Sequence, residues 1–306
     1  MKQEEPILVA IHCLVYNHEP YLRDCFEGFV MQKTNFRFVA IVHEDCSTDH
    51  SVDIIREYEA KYPDIFRPIY ETENQYSKPD GSLGRIMNAA IDATGAKYVA
   101  MCEGDDYWTD PYKLQKQVDY MEAHLECAIC FHPVMVHDQR TGDEYLDTLT
   151  KVPQITTIND IARIGNYIHT PSVMYRYHPE VNEKILQLGK LGVGDYLSNM
   201  LYAQYGNICK LPDYMAVYRQ GVGVWSGNKV PYRTEVQWLI AISKLFPMLK
   251  NEDAKKLLDE QITEYANSIL KGFHEANQQL SQIRSSKAYR LGKLLLKPFR
   301  WMKRKK

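Results

Sequence analysis

Three carboxylates lie within four residues in the stretch CEGDDYW, which runs from Cys102 to Trp108. The cluster directly follows the apolar run KYVAM, a pattern typical of a buried strand. Neighbouring carboxylates repel one another, and a divalent cation such as Mg²⁺ or Mn²⁺ removes that cost while keeping coordination positions open for phosphate oxygens. We therefore take Asp105 and Asp106 as candidate metal ligands, with Glu103 beside them. The alternative is that the acidic pair caps the helix starting near Pro111 or lies in a solvated turn.

Two more polar loops, YNHEPY and EDCSTD, follow the apolar runs ILVAIHCLV and RFVAIVHE. Glu44 and Asp45 could accept hydrogen bonds from a base or a ribose hydroxyl, as acidic residues do in other nucleotide-binding βαβ folds. In the first loop, Tyr16 could stack on a base while Glu19 accepts from the ribose. The alternatives are a group of helix caps around Ser47 in the second loop and ordinary surface turn residues in the first.

The elements that must position these loops alternate between strand and helix patterns over the first 101 residues. Strands are expected at 7–15, 37–44, 66–71 and 97–102, with helices at 21–32, 51–63 and 85–94 between them. This alternation predicts βαβ units and a mostly parallel sheet. Since the carboxyl ends of parallel strands share one edge, the three loops should meet there and form a ligand crevice.

The second half of the chain is less regular. We expect a strand over ECAICFHPVMVHD, a loop and strand over GNYIHTPSVMYR, a helix over GDYLSNMLYAQYG and a final strand over KLPDYMAVYR. From Thr234 onward the pattern is helical. Cys127 and Cys130 have the spacing of zinc ligands, but residues three apart in a strand face opposite sides, so free core thiols are expected.

Composition restricts the classes of function. The chain has 306 residues, a formal net charge of -2 and 45% hydrophobic residues, so a globular fold is expected and a dedicated nucleic-acid binder is not. Seven cysteines without a regular framework, and no apolar secretory segment after MKQEEP, predict a cytoplasmic protein. No stretch approaches the roughly 20 apolar residues of a spanning helix, so membrane contact would be peripheral.

The C-terminal segment 284–306 combines basic residues with apolar ones at near-helical spacing, and no acidic residue follows Glu275. This layout predicts an interfacial helix on an anionic membrane surface, at the inner face of the cell membrane. The alternative is a helix that docks on its own domain. The preceding segment, from Asp253 to Leu280, could pair with a second copy in a homodimer or fold back.

Taken together, LVYNHEPYL, HEDCSTDHS, GRIMNAA and CEGDDYW resemble, in order and spacing, the inverting family-2 glycosyltransferases of the GT-A fold. The resemblance covers roughly the first 130 residues. It implies a nucleotide-diphospho-sugar donor, most often a uridine one, and a divalent metal. It also implies transfer with inversion to a hydroxyl of a glycan or lipid-linked acceptor, as in the synthesis of cell-surface polysaccharides.

By this resemblance, the four residues of the first two loops contact the nucleotide. Arg85 and Asn88 match the segment before the metal strand, where an arginine reaches the donor diphosphate. EGDD matches the DxD region of the family, with Glu103 in its first position and Asp105 as the metal ligand. The usual residue at the position of Glu103 is an aspartate, so its distance to ribose or metal is an open question.

GDYLSNM resembles the acidic pair on the acceptor side, in which the second acid is the general base. Gly194 replaces the first acid, and Asp195 keeps the second, so Asp195 is the predicted base; the alternative is an N-cap for its helix. YRQGVGVWSG resembles a late loop that closes over the diphosphate. Trp225 fits such a lid, although Gln220 stands where a histidine is often found.

The resemblance predicts a GT-A fold, in which a Rossmann-like, mostly parallel central sheet is flanked by helices and followed by a helical extension. The domains expected are a transferase domain at 1–232, with a nucleotide part at about 1–110 and an acceptor part at about 111–232, then a helical extension at 233–283 and the basic tail at 284–306. Two other functions are considered, a sugar nucleotidyltransferase and a non-catalytic nucleotide-sugar binding module. The first should carry a Gly-rich loop with Arg or Lys after the first strand, which YNHEPY is not.

Overall fold

The computed structural model describes residues 5–149, 151–189, 191–222 and 233–287, together with 289 and 291. The strands of this part are β1 Ile7–Val15, β2 Arg37–Glu44, β3 Phe66–Tyr70, β4 Tyr98–Met101, β5 Tyr107–Trp108, β6 Cys127–Phe131, β7 Met135–Asp138, β8 Glu144–Leu146, β9 Ile155–Thr156, β10 Met174–Arg176, β11 Asn207–Lys210 and β12 Ala216–Gln220. The helices are α1 Glu19–Val30, α2 Ser51–Lys61, α3 Ser82–Asp92, α4 Lys113–Ala123, α5 Ile158–Ile164, α6 Pro179–Leu188, α7 Gly194–Tyr202, α8 Arg233–Leu245 and α9 Glu252–Ser285. Short 3-10 turns lie at Thr170–Ser172 and Phe246–Met248.

The larger sheet has eight strands in the order β3-β2-β1-β4-β10-β6-β11-β9. Its first four strands are parallel, and Ile11 in the central strand β1 pairs with Ala40 on one side and Ala100 on the other. These strands are nearly continuous apolar runs because helices cover both faces of the sheet. The α/β architecture predicted from the sequence is confirmed.

The later strands make the sheet mixed. β10 runs antiparallel to both β4 and β6, whereas β11 is parallel to β6. A second sheet has the order β5-β12-β7-β8 and was not predicted. The predicted strand 126–138 is divided between the two sheets at Pro133, into β6 and β7. The predicted final strand 210–219 contributes β12 to the smaller sheet, whereas β11 lies almost entirely before it and is separated from β12 by Pro212. Proline has no N–H to donate to a ladder, so it is confined to strand ends, bulges and edge strands such as β3, which contains Pro68.

The prediction that Cys127 and Cys130 face opposite sides of a strand is wrong. The pairing of β11 with β6 shifts register between Asn207 and Ile208, and both thiols enter the same apolar cluster. The extra residue of such a bulge reverses the alternation of side chains. None of the seven cysteines forms a disulfide bond.

Helices α8 and α9 pack on the second half of the sheet. Ala241, Leu245 and Leu258 belong to the same apolar cluster as Ile129 and Ile208 of the sheet. Along the 34 residues of α9, only Ala254, Leu258 and Gly272 are buried. No helix among the described residues has the length and apolar character needed to cross a membrane.

We predict that Gly28→Ala lowers the free energy of unfolding by about 1–3 kcal/mol, the usual cost of overpacking a core. A Cβ at position 28 would lie 2.9 Å from the backbone nitrogen of Trp108, and backbone atoms cannot move aside as a flexible side chain can. Urea unfolding measures the change. Gly194→Ala is the control, because no atom lies within 4 Å of its added Cβ. Equal stability of the two variants would contradict this account of the contact between α1 and β5.

Candidate functional site

The loops after β1 and β2 are joined to each other by side chains. Asn17 donates its backbone N–H to Ser47 Oγ at 3.0 Å, and Thr48 donates its own to Asn17 Oδ1 at 2.7 Å. Asn17 and Cys46 both have left-handed backbones, with φ of 55° and 62°. Residues other than glycine adopt this conformation at a cost, so the contacts between the loops hold a strained edge in place.

Glu19 and Asp49 anchor the start of each other's helix. The backbone N–H of Glu19 donates to Asp49 Oδ2 at 3.0 Å, and that of His50 donates to Glu19 Oε2 at 3.1 Å. The Glu19 carboxylate therefore already caps the loop before α2, which is a structural use beside its predicted ribose contact. Tyr16 is 45% exposed, and its predicted stacking on a base stays a prediction.

Glu44 and Asp45 are buried, and their carboxylates accept from backbone N–H groups. Glu44 Oε1 accepts from Ser47 at 2.6 Å, within its own loop. Asp45 Oδ1 and Oδ2 accept from Gln75 at 2.6 Å and Tyr76 at 2.9 Å. Both acids therefore shape the crevice, and their predicted contacts with a base stay predictions.

The acidic loop after β4 touches the first loop at Gly104. The N–H of Gly104 donates to the carbonyl of Leu14 at 3.0 Å, and a Cβ on Gly104 would lie 2.7 Å from His18 Nδ1. Only glycine allows this approach, which is why the acidic run is interrupted at that position. Asp105 and Asp106, which directly follow Gly104, are 7% and 3% exposed.

The carboxylates of this loop share one cleft with Asp195. Burial, followed by the charges of Asp195 and Asp105, raises the pKa of Glu103 to about 8. Burial and then Asp105 raise the pKa of Asp106 well above its ordinary value. The pKa of Tyr218 is also raised, first by burial and then by all four of these carboxylates. Burial and mutual repulsion therefore disfavour the ionised forms of Glu103, Asp106 and Tyr218.

This donor set suits a hard divalent cation, since it consists of carboxylate oxygens at the carboxyl edge of the sheet. Within the described ranges, no group of three or more His, Cys, Asp or Glu side chains is arranged to hold a metal ion by itself. A cation here would therefore take its other ligands from a bound diphosphate or from water.

Arg219 is the main functional candidate that sequence reasoning missed. Its N–H donates to Asp106 Oδ1 and its guanidinium to the carbonyl of Asp105, each at 2.8 Å. The guanidinium also pairs with Asp24 and lies 4.5 Å from the ring centroid of Tyr107. This buried cation fixes the backbone and one side chain of the acidic loop. No local pattern marks it, because it lies 113 residues from Asp106 along the chain.

Asp195 lies in the first turn of α7, at the mouth of a cavity. Thr170 Oγ1 donates to Asp195 Oδ2 at 3.1 Å. The pKa of Asp195 is raised, chiefly because protein displaces water around its carboxylate, with Thr170 and His169 acting in the opposite direction. The cap of α7 is Val193 and no side chain bonds to the free N–H groups, so Asp195 does not act as an N-cap.

The turn that carries Thr170 is held by a buried network on α4. Trp108 Nε1 donates to the carbonyl of Pro171 at 2.8 Å, and Gln117 Nε2 donates to that of Ser172 at 3.0 Å. Gln117 itself accepts from the fully buried Lys113 at 2.7 Å. Burial lowers the pKa of Lys113 to about 7. Trp108 therefore links the acidic loop directly to the turn beside Asp195.

The structure does not bring all of the predicted residues into this cleft. The Arg85 guanidinium donates to the carbonyl of Asp80 and is 55% exposed. Asn88 lines the same cavity as Asp195. Gln220 accepts from the Tyr145 hydroxyl at 2.6 Å. Trp225 lies outside the described residues, so its predicted place in a lid stays a prediction.

Comparison with known proteins agrees with this geometry. An uncharacterised protein of Mycobacterium tuberculosis, Rv1520, is 37% identical over 221 residues, which are 71% of this chain and 60% of that protein. The putative teichuronic acid biosynthesis glycosyltransferase TuaG of Bacillus subtilis is 28% identical over 155 residues, covering 50% of this chain and 56% of that protein. The chain thus spans less than two thirds of the length of these relatives.

Among solved structures, S. aureus TarS 1-349 in complex with UDP-GlcNAc has a similar fold, with a TM-score of 0.62 and 18% sequence identity. The match covers 86% of this chain and 72% of that one, and it supports the predicted GT-A fold. The model of glycosyl transferase family 2 matches residues 11–180, more than half of the chain, and includes all three crevice loops. The resemblance seen in the sequence is therefore confirmed, and the chain belongs to glycosyltransferase family 2.

Proposed function

We propose that this protein is a metal-dependent, inverting glycosyltransferase that moves a sugar from a nucleoside-diphosphate donor, preferably a UDP-sugar, to an acceptor hydroxyl. The observation that carries the proposal is the interaction between Glu103 of the acidic loop and Asp195 of α7 within one cleft. A diphosphate site and a base must face each other across the reacting carbon, and these are the two sides of the cleft.

The acidic loop would hold the donor through a cation. Asp105, with Asp106 beside it, would hold Mn²⁺ or Mg²⁺, which as a Lewis acid stabilises the negative charge of the leaving diphosphate. At about 4 Å and an effective dielectric constant near 20, a pair of unit charges is worth roughly 4 kcal/mol. Arg219 holds the loop in place, while Tyr16, Glu19, Glu44 and Asp45 would meet the nucleoside on the neighbouring loops.

Asp195 would act as the general base. It takes the proton of the acceptor hydroxyl while the acceptor oxygen bonds to the anomeric carbon. The bond from that carbon to the phosphate oxygen breaks, and its electron pair leaves with the nucleoside diphosphate. Because attack and departure lie on opposite sides, one displacement inverts the anomeric centre.

Family membership favours transfer over the nucleotidyltransferase alternative. The name of TuaG, a putative teichuronic acid biosynthesis enzyme, supports a glycan or lipid-linked acceptor in cell-surface polysaccharide synthesis. Gly194, where the resemblance implies an acid, and Gln220, where a histidine is often found, both favour a non-catalytic binding module. No atom lies within 4 Å of a Cβ built at position 194.

Asp105→Asn and Asp195→Asn should separate donor binding from catalysis. We expect Asp105→Asn to lose Mn²⁺-dependent binding of UDP-sugar, because half of the metal-binding charge is gone. Asp195→Asn should keep that binding and lose about 10²- to 10⁴-fold in turnover, the usual contribution of a general base. Calorimetry with UDP-glucose and UDP-N-acetylglucosamine measures binding, and release of UDP measures turnover.

Asp213→Asn, at an exposed carboxylate paired with Lys116, is the matched control and should resemble the wild type. Normal turnover in Asp195→Asn would reject the assigned base. Full activity after treatment with a chelator would reject the metal. Metal-dependent binding without any release of UDP in the wild-type protein would identify a binding module.

Thr170→Val should move the acid limb of the rate profile to higher pH. The reaction needs an ionised Asp195, so the rate falls as the pH drops through its pKa. Thr170 donates a hydrogen bond to the Asp195 carboxylate and lowers its pKa. The variant leaves unchanged the other titratable groups that face Asp195, which are Glu103, Tyr76, Tyr175, Tyr218 and His169. Removing the Thr170 hydroxyl therefore raises the pKa. Profiles of kcat from pH 5 to 9 test this prediction, and Thr263→Val on the exposed face of α9 is the control. An acid limb at the same pH in Thr170→Val and the wild type would contradict the role of this hydrogen bond.

We also propose that the C-terminal end of α9 and the tail at 284–306 attach the protein to anionic lipids on the inner face of the cell membrane. Exposed apolar side chains lie along the described part of this end, at Leu270, Phe273, Leu280, Ile283, Tyr289 and Leu291. Ten lysines and arginines and no acidic residue follow Glu275. Most of the tail lies outside the described residues. Its positive charge complements anionic lipid headgroups and would repel the same tail of a second copy.

Flotation with vesicles containing phosphatidylglycerol tests the attachment. We expect binding to these vesicles and little binding to pure phosphatidylcholine, since each basic residue near the surface adds about 1 kcal/mol. Deleting residues 284–306, or changing Leu280 and Ile283 to serine, should reduce flotation. Flotation that is equal before and after deletion would reject the anchor, as would a stable dimer in sedimentation that the serine changes abolish.

A further inference from the structure

A cavity of about 190 Å³ lies directly beneath Asp195, between the larger sheet and helices α3, α6 and α7. Asn88, Thr170 and Ser198 line it together with Asp195, and all four are at least partly accessible to solvent. The mouth of the cavity is therefore in the cleft that holds the proposed base.

The walls of the cavity are mainly aliphatic. They are formed by Leu14, Leu83, Met87, Ile91, Val99, Met101, Ile168, Val173, Ile185 and Leu186. Other polar groups of the wall bond to one another: the hydroxyl of Tyr175 donates to Asn199 Oδ1 at 2.7 Å, and Asn182 Nδ2 donates to the hydroxyl of Tyr177 at 3.1 Å. A sugar ring has several hydroxyls that need partners, so these walls do not suit one.

His12 adds a second constraint. It lies on β1 in the cavity wall, and its Nδ1 is buried without a hydrogen-bond partner among the described residues. Burial lowers the pKa of His12 to about 4, so the imidazole is neutral at pH 7. A neutral ring offers one donor and one acceptor and does not attract an anion. The largely aliphatic lining and the neutral ring together favour a small neutral group that is mostly carbon over phosphate or carboxylate.

We propose that this cavity receives the acyl part of an acylamino sugar, with the methyl end against the aliphatic walls and the amide near the mouth. The proposal rests on the proposed glycosyltransferase function and names the class of substrate at that site. An engineered apolar cavity of about 150 Å³ is large enough for benzene, so the present volume admits an acetyl or short acyl group. The acyl group can belong to the donor or to the acceptor, and the cavity chemistry is the same for both.

The test compares acylated and non-acylated substrates on each side of the reaction. On the donor side, UDP-N-acetylglucosamine is compared with UDP-glucose, and with the N-propanoyl and N-butanoyl homologues, in binding and in kcat/KM with Mn²⁺. On the acceptor side, methyl N-acetyl-β-glucosaminide is compared with methyl β-glucoside. We expect at least tenfold preference for the acetylated form on one side, the lower end of what a buried apolar group is worth.

Two variants change the cavity in opposite directions. Ser198→Leu fills the mouth and should reduce the preference for the acylated substrate about tenfold. Ile91→Val removes one methylene group from the buried wall and should shift the preference towards the longer acyl chains. Ser243→Leu, at an exposed serine on α8, is the matched control and should keep the wild-type preference.

Turnover that does not distinguish acylated from non-acylated substrates on either side would overturn the proposal while the transferase function stands. Equal loss with both substrate types in Ser198→Leu would also overturn it. Selective binding of the acylated donor without metal-dependent release of UDP would support the cavity and reject the transferase function.

Discussion

The site depends on the concentration of like charge in a partly dehydrated cleft. Glu103, Asp105, Asp106 and Asp195 are brought together against their mutual repulsion, and the raised pKa values of Glu103 and Asp106 show the result. A fold keeps such an arrangement only where other contacts over-determine it. Here those contacts are the buried strands below, the close approach of Gly104 to His18 and the guanidinium of Arg219. Together they leave unused acceptor capacity that faces the crevice.

The smaller sheet contacts both sides of the cleft. Arg219 reaches the acidic loop from β12 in the smaller sheet, where β12 pairs with β5, the strand that follows the acidic loop. Trp108 of β5 then bonds to the turn that presents Thr170 to Asp195. The smaller sheet thus connects the acidic loop on one side of the cleft to the turn beside Asp195 on the other. A displacement of β5 would move both sides together and preserve their spacing.

Much of the fold is readable from the sequence because burial leaves a simple pattern. β1 and β2 are continuous apolar runs, and parallel strands deliver their following loops to one edge, so the meeting of YNHEPY, EDCSTD and EGDDYW follows from topology alone. The second half of the fold cannot be predicted in the same way. The breaks at Pro133 and Pro212 were visible signals, but the partners of β7 and β12 in a separate sheet depend on contacts far along the chain. Arg219 and Thr170 acquire their roles only through such contacts.

The cavity beneath Asp195 is bounded by both halves of the chain. Its walls come from β1, β4 and α3 of the first half and from α6 and α7 of the second, so its volume depends on how closely the two halves pack. Gly84 lies where α3 meets α6, and a Cβ there would come within 2.6 Å of Leu186 Cδ2. Glycine at this crossing lets the helices approach while the wall residues around them stay aliphatic. The packing of the two halves therefore sets both the distance from the acidic loop to Asp195 and the volume beneath Asp195, so that under the proposed function catalysis and substrate selection would be coupled.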